Sequence, residues 1–311
     1  MEQAIAPVKI KKKKSILEHF KKYWQLWLMV VPAVAIIIVF NYIPMYGVQL
    51  AFREFDFTKG LTGGEFVGLK YFRQFFDSPM FKPVLVNTLR ISIATLIIGF
   101  IAPIVLALLI NQVRNPKRKQ VLQTTVYMPH FISTVVMVAM LQVFLSPETG
   151  VLTNIFNLEK STNLLGSVKT FVPVYVISEV WQHCGWNSII YLAALSSVDP
   201  QLYESADIDG ANRFQKILHV DIPALVPTMM VLLIMNMGGV LSAGFEKTLL
   251  MQNSLNLPVS EVIATYVYKI GILSSQFSYS TAIGLFNNIV NFAFLVLANT
   301  LSKKFSNRSL W

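Results

Sequence analysis

Asp199-Pro-Gln-Leu-Tyr-Glu204-Ser-Ala-Asp-Ile-Asp209-Gly210-Ala-Asn-Arg-Phe-Gln-Lys-Ile-Leu-His-Val220-Asp-Ile222-Pro223 is a polar island between two long apolar stretches. Its residues predict a helix, a bend and a second helix. Asp199 is placed to cap the first helix, because a short carboxylate accepts from first-turn amides, and Pro200 fits that turn because its missing N–H has no partner there anyway. Gly210 supplies a chain reversal without a side-chain penalty. A second short helix is expected over about residues 211–221, with Pro223 punctuating the start of the next apolar stretch. Taken alone, such a segment reads equally as an amphipathic surface connector or as a docking element.

Its flanks place it beside a bilayer. The chain of 311 residues is 54% hydrophobic and only 14% charged, whereas a soluble domain carries about a quarter charged residues. The mean hydropathy of +0.55 would suit one large soluble core only if the apolar residues were dispersed. They gather instead into six stretches, at 24–43, 84–110, 122–145, 171–195, 224–243 and 281–301, each near the length that a membrane span requires. The formal net charge of +10 raises the question of nucleic acid. The lysines and arginines, however, lie mainly in tails and connections, so a lipid bilayer and no nucleic acid is the expected partner.

Sorting those cations by connection sets the topology. Seven lie in the N-terminal tail, four in 111–120, two in the segment before Pro223 and three after Leu301, sixteen on one side against nine on the other, with Arg90 inside a span. Cytoplasmic connections retain the excess of positive charge, so both termini and the 199–223 loop are expected in the cytoplasm. The organisation that follows is a basic cytoplasmic tail at 1–23, a membrane domain at 24–301 and a cytoplasmic tail at 302–311. The run Lys11–Lys14 reads as a topology anchor. No small-residue cleavage site follows it, and five more spans come after the first. Pro32, Pro103 and Pro129 are expected as kinks, since neighbouring helices can satisfy the carbonyls they free. The single cysteine, Cys184, excludes an intrachain disulfide and a cysteine metal cluster, and it is expected to pack as a small apolar residue.

Glu204-Ser-Ala, then Gly210, then Val220, Ile222 and Pro223 resemble the loop Glu-Ala-Ala…Gly…Ile-x-Leu-Pro of ABC-importer permeases. Ser205, Val220 and Ile222 depart from that pattern conservatively. In that family the loop forms coupling helices that insert into a cleft on each ATPase subunit, which implies an ATPase-coupling role for Glu204, Ser205, Ala206, Asp209, Gly210 and Pro223. Asn41-Tyr-Ile-Pro-Met-Tyr-Gly47, Val67-Gly-Leu-Lys-Tyr-Phe72, 181–195, Gly244-Phe-Glu-Lys247 and Ser309-Leu-Trp311 look like the carbohydrate-uptake branch, in particular permeases for oligosaccharides and polysaccharide fragments. The resemblance implies an all-α integral membrane protein with six transmembrane helices in the type I, maltose-type permease fold. It also implies a bacterial cytoplasmic membrane, a second homologous permease chain, two ATPase subunits and an extracellular or periplasmic solute-binding protein. No cofactor or metal is expected on this chain, with ATP and Mg on the ATPase subunits. No Gly-x-x-x-x-Gly-Lys-Ser/Thr loop occurs in the sequence, in keeping with an ATPase on a separate polypeptide.

Polar groups at membrane depth are costly unless they face a cavity or a partner. Glu179, His183 and Asn187 recur every four residues and share one helical face, with Trp181 and Trp186 close by. Carboxylate, imidazole and amide suit sugar hydroxyls, and a tryptophan can cover the apolar face of a pyranose. A Glu179–His183 pair that merely joins helices is the competing reading. Asn236, Glu246, Asn287 and Asn291 are further candidates for the solute path, and Gly238-Gly239 reads as close helix packing. In maltose-type permeases the later spans hold the sugar, which favours the asparagines. Two other classes compete. An ion-coupled carrier would need a titratable relay, for which Glu179 and His183 are the candidates. A membrane enzyme is disfavoured by scattered histidines and by the lack of His-Glu-x-x-His and Gly-x-Ser-x-Gly, so no catalytic residue is expected.

Overall fold

The computed structural model describes residues 22–61, 63–147, 150, 151, 155 and 163–306. The run Lys11–Lys14, most of the N-terminal tail and Ser309-Leu-Trp311 lie outside the described residues. The described chain is helical, with no strand and only two isolated bridges, Arg53 with Phe66 and Asp56 with Gly60. In order, the helices are α1 (Trp24–Phe52), α2 (Lys70–Phe76), α3 (Phe81–Asn111), α4 (Pro116–Phe131), α5 (Thr134–Phe144), α6 (Phe171–Ser196), α7 (Pro200–Ile208), α8 (Arg213–Met237), α9 (Phe245–Met251), α10 (Leu257–Ser260), α11 (Ile263–Leu273) and α12 (Phe277–Ser306).

α3 is the central column. At one end its Val84 packs with Phe75, Ile263 and Ile283 of α2, α11 and α12. Lower down, Ile91 joins Phe171, Tyr175 and Val176 of α6. At the far end Ile104 and Leu108 meet Tyr191 and Leu195 of α6 and Leu225 of α8. The stretch from Val84 to Leu108 rises about 36 Å at 1.5 Å per residue, which exceeds the roughly 30 Å of bilayer hydrocarbon. α3 and α6 form the most extensive helix pair.

Among the described residues four helices, α1, α3, α8 and α12, are long and apolar enough to cross a membrane, and a fifth is reached if the bent pair α4–α5 is taken as one span. The six stretches expected from the sequence need four corrections. α6 has 26 residues but falls below that apolarity because it carries Glu179, Gln182, His183 and Asn187, of which Glu179 is paired with Lys247 and Gln182 with the Ile132 carbonyl. The third stretch, 122–145, is broken rather than kinked, and its halves meet at 95°. Pro129 tightens the end of α4 into a 3₁₀ turn, and Ser133 starts α5 afresh by accepting from the Val136 N–H. The carbonyl of Ile132, freed at the break, accepts from Gln182 Nε2 at 2.7 Å. Gly185 lets the backbones of α4 and α6 touch, since a Cβ there would stand 1.9 Å from the Val126 oxygen.

The third correction concerns the fifth stretch, which stops being helical at Met237 rather than 243, where Gly238 and Gly239 begin a run of turns. A Cβ on Gly238 would sit 3.2 Å from Leu295 Cδ1 of α12, so that glycine does permit close packing. Asn291 of α12 then holds the turn by accepting from the Leu241 N–H at 2.8 Å. Lastly, Pro223 does not punctuate. The helix begun at Arg213 runs through it to Met237, because residues 217–221 form a π-turn in which the Ile222 N–H reaches back to the Ile217 carbonyl. That widened turn accommodates the missing proline N–H and the bulk of its ring.

The loop itself folds as its residues dictate. Asp199 Oδ1 accepts from the Gln201 N–H at 3.0 Å and starts α7. Gly210 takes φ +73°, a left-handed conformation that L side chains resist. The Ala211 N–H closes the end of α7 on the Ala206 carbonyl at 2.9 Å. Asn212 and Gln215 form a reciprocal capping box at the start of α8, and Lys216 forms an ion pair with Asp207 across the bend.

Candidate translocation site

A cavity of about 300 Å³ opens between α3, α6 and the turns that follow α8. Its polar lining is Ser92 and Thr95 from α3, Glu179, His183 and Asn187 from α6, and Asn236 from α8. The four-residue spacing in α6 therefore delivers all three of its polar groups to one wall. Cys184, expected as a packing residue, also lies on that wall.

Glu179 anchors the wall. Its Oε2 accepts from Lys247 Nζ of α9 at 2.8 Å, and its Oε1 stands 3.7 Å from His183 Nε2, an electrostatic contact beyond hydrogen-bond length. Lys247 is 4% exposed and Glu179 27%. The lysine is thus the buried partner behind the carboxylate, with the Tyr175 carbonyl at 3.4 Å and the Tyr175 ring centroid at 4.9 Å. A lone ammonium in that position would be strongly disfavoured, so the carboxylate fixes it and is fixed by it. Ser92 Oγ, Thr95 Oγ1 and His183 Nδ1 are buried with no protein partner. Buried polar groups left unmade are costly, and these three are ready to bond hydroxyls.

The other path candidates lie elsewhere. Trp181 is half exposed and off the cavity lining. Trp186 stacks on His130 with centroids 4.4 Å apart and planes 7° from parallel, bracing the α4–α5 break. Glu246 is exposed on α9. Asn287 Oδ1 is buried without a partner in α12. Asn291 is occupied, accepting from Leu241 and donating to Ser242 Oγ at 3.2 Å. In the loop, Glu204, Ser205, Asp209, Gly210 and Pro223 are exposed and Ala206 is half-buried. The Ser205 hydroxyl turns back onto the Leu202 carbonyl at 3.1 Å. Beside them the bend presents two large apolar side chains to the outside, Ile208 at 87% exposure and Phe214 at 72%.

Residues 103–307 match the family described as binding-protein-dependent transport system inner membrane component. The chain belongs to this family. The match starts within α3 and takes in α6, the 199–223 loop, α8 and α12. The polygalacturonan/rhamnogalacturonan transport system permease protein YteP of Bacillus subtilis (strain 168) is 40% identical over 97% of this chain and 95% of its own length. Protein LplB of the same organism is 40% identical over 92% of this chain and 91% of its own. The crystal structure of a bacterial ABC transporter involved in the import of the acidic polysaccharide alginate contains a chain that superposes with a TM-score of 0.86 at 36% identity, covering 94% of this chain and 99% of that one. The molecule is thus a multi-pass inner-membrane permease subunit of an ABC transporter, not an enzyme in its own right, and the ion-coupled carrier gives way to it.

Several residues around the cavity and the bend do not stand out in the sequence. Lys247 was legible only as part of a motif, although a lysine flanked by Phe245, Leu249 and Leu250 signals a buried cation in need of a carboxylate. Ser92 and Thr95 carry no signal, since a hydroxyl on an apolar helix usually bonds its own backbone. Ile208 and Phe214 are apolar residues within the polar island, and that contrast marks an exposed apolar patch.

Proposed function

We propose that this permease forms one half of a transmembrane path for an oligosaccharide or polysaccharide fragment, with both termini in the cytoplasm. A second homologous permease chain supplies the other half. An extracellular or periplasmic solute-binding protein delivers the sugar, and two separate ATPase subunits, carrying ATP and Mg²⁺, drive the cycle. The observation that carries this reading is the wall of Glu179, His183, Asn187 and Asn236, together lining one cavity between helices. Amides and imidazole both donate and accept, and the carboxylate accepts, so the wall meets the mixed donor and acceptor character of sugar hydroxyls. About 300 Å³ is at the small end for a ligand cavity, in keeping with a path completed by a partner chain. The named cargoes of YteP, of the alginate-importing neighbour and of a further solved alginate ABC transporter, the last in complex with an alginate pentasaccharide-bound periplasmic protein, support a carbohydrate.

Coupling is assigned to the 199–223 loop. Ile208 and Phe214, exposed on either side of Gly210, supply an apolar plug for a cleft on the ATPase, and Glu204, Ser205 and Asp209 supply its polar rim. ATP-driven closure of the ATPase pair then moves the loop, and the loop moves the helices it joins. Purifying the chain from native membranes and identifying every copurifying protein and sugar by mass spectrometry tests this. An ATPase, a second permease and a bound saccharide are expected. Absence of an ATPase, or its undiminished retention by an Ile208→Asp, Phe214→Asp variant, refutes the coupling assignment.

A further inference from the structure

Asp221 has no solvent exposure, and it is not matched by any cation among the salt bridges of the described residues. Its two oxygens take one partner each. Oδ1 accepts from the Tyr203 hydroxyl of α7, and Oδ2 accepts from Nε2 of Gln112, the residue that ends α3, at 3.2 Å. Burial, and then the carboxylate beside it, hold the Tyr203 phenol well above its usual pKa, so it stays protonated and donating. Asp221 itself ends the π-turn at the foot of α8. An i→i+5 turn rotates the following helix relative to the preceding one, and such turns are frequent at functional sites.

An anion held by two neutral donors is a poor choice for stability alone, since a buried charge is expensive and an apolar side chain of similar volume often serves better. What the carboxylate does uniquely is tie three elements to one point. α7 belongs to the coupling loop. α3 and α8 are two of the three walls of the cavity, contributing Ser92, Thr95 and Asn236. We propose that Asp221 is the joint through which a displacement of α7 reaches α3 and α8 together, so that ATPase closure reshapes the cavity rather than merely tilting the loop. Asp221 and Tyr203 are positioning residues in this scheme. It rests on the coupling assignment above.

The test uses the whole complex in proteoliposomes, with Cys184 on the cavity wall as the reporter. It is the chain's only cysteine, so fluorescein-maleimide incorporation into this chain reads cavity access directly. In the native complex, trapping with ATP and vanadate is expected to change the Cys184 labelling rate by at least about fivefold, the lower end of ordinary allosteric coupling. Tyr203→Phe removes one hydroxyl and leaves the packing. It is expected to keep the ATPase bound while the nucleotide-dependent change in labelling collapses. Asp221→Asn is expected to do the same, and if it does not assemble, Gln112→Ala serves in its place. Full nucleotide response in Tyr203→Phe and in the second variant overturns the joint and leaves the coupling assignment standing. A native chain that retains no ATPase overturns that assignment and the joint with it. So does a native complex whose Cys184 labelling ignores nucleotide.

Discussion

Replacing Glu179 by glutamine should injure this protein more than replacing its partner Lys247 by methionine. The asymmetry follows from burial, because Lys247 is 4% exposed and Glu179 27%. Removing one partner of a buried pair leaves an uncompensated charge and costs about 3–5 kcal/mol. A carboxamide keeps an acceptor oxygen near Lys247 Nζ, and a hydrogen bond to a charged group contributes about 1.5–3 kcal/mol, so the net loss for Glu179→Gln is about 2 kcal/mol. In Lys247→Met, by contrast, the partly exposed carboxylate opens on the cavity beside His183, and the loss resembles that of a surface pair, about 1 kcal/mol or less. The double variant removes the stranded ammonium, so the two changes should be non-additive by about 1–2 kcal/mol, within the usual range for contacting residues. The assay is thermal inactivation of the detergent-solubilised complex, read as the fraction that still elutes as a monodisperse peak after heating. A loss of 2 kcal/mol corresponds to a fall in midpoint on the order of 4 °C. If Lys247→Met is the more damaging single change, or if the double variant shows the simple sum, the ion pair does not organise the wall.

Gly185→Leu should prevent α4 from seating on α6, because even a Cβ would meet the Val126 oxygen at 1.9 Å. Loss of folded protein after solubilisation is the expected readout, with overpacking costing about 3 kcal/mol or more. Gly210→Val forces a β-branched residue to φ +73°, at about 1–2 kcal/mol; the chain should still insert, but ATPase retention in a pull-down should fall severalfold. Asn291→Leu leaves the Leu241 N–H without its acceptor, costing about 1–3 kcal/mol, and should lower the thermal midpoint without abolishing ATPase binding. An oligosaccharide that occupies the cavity should slow maleimide labelling of Cys184, whereas glycerol should not; equal rates with and without saturating sugar would exclude the cavity from the path.

Much of the membrane character was written in the order of the residues. The bilayer demands long apolar runs and confines cations to the connections, and both are local properties of a chain. The helix–bend–helix of 199–223 was equally legible, since Asp199, Pro200 and Gly210 act through their own backbone neighbours. The shared face of Glu179, His183 and Asn187 follows from helical periodicity. What periodicity does not contain is the partner on another helix. That Glu179 meets Lys247 across 68 residues, that Asp221 gathers Tyr203 and Gln112, and that Asn291 serves the backbone of Leu241 while Asn236 reaches the cavity were decided by packing. The break at Ile132 belongs there too: a proline in a span permits a kink, but a 95° turn needs Gln182 to satisfy the freed carbonyl and Gly185 to let α4 approach. Local chemistry sets which conformations a segment can adopt, and only the close approach of distant segments selects which buried polar group finds which partner.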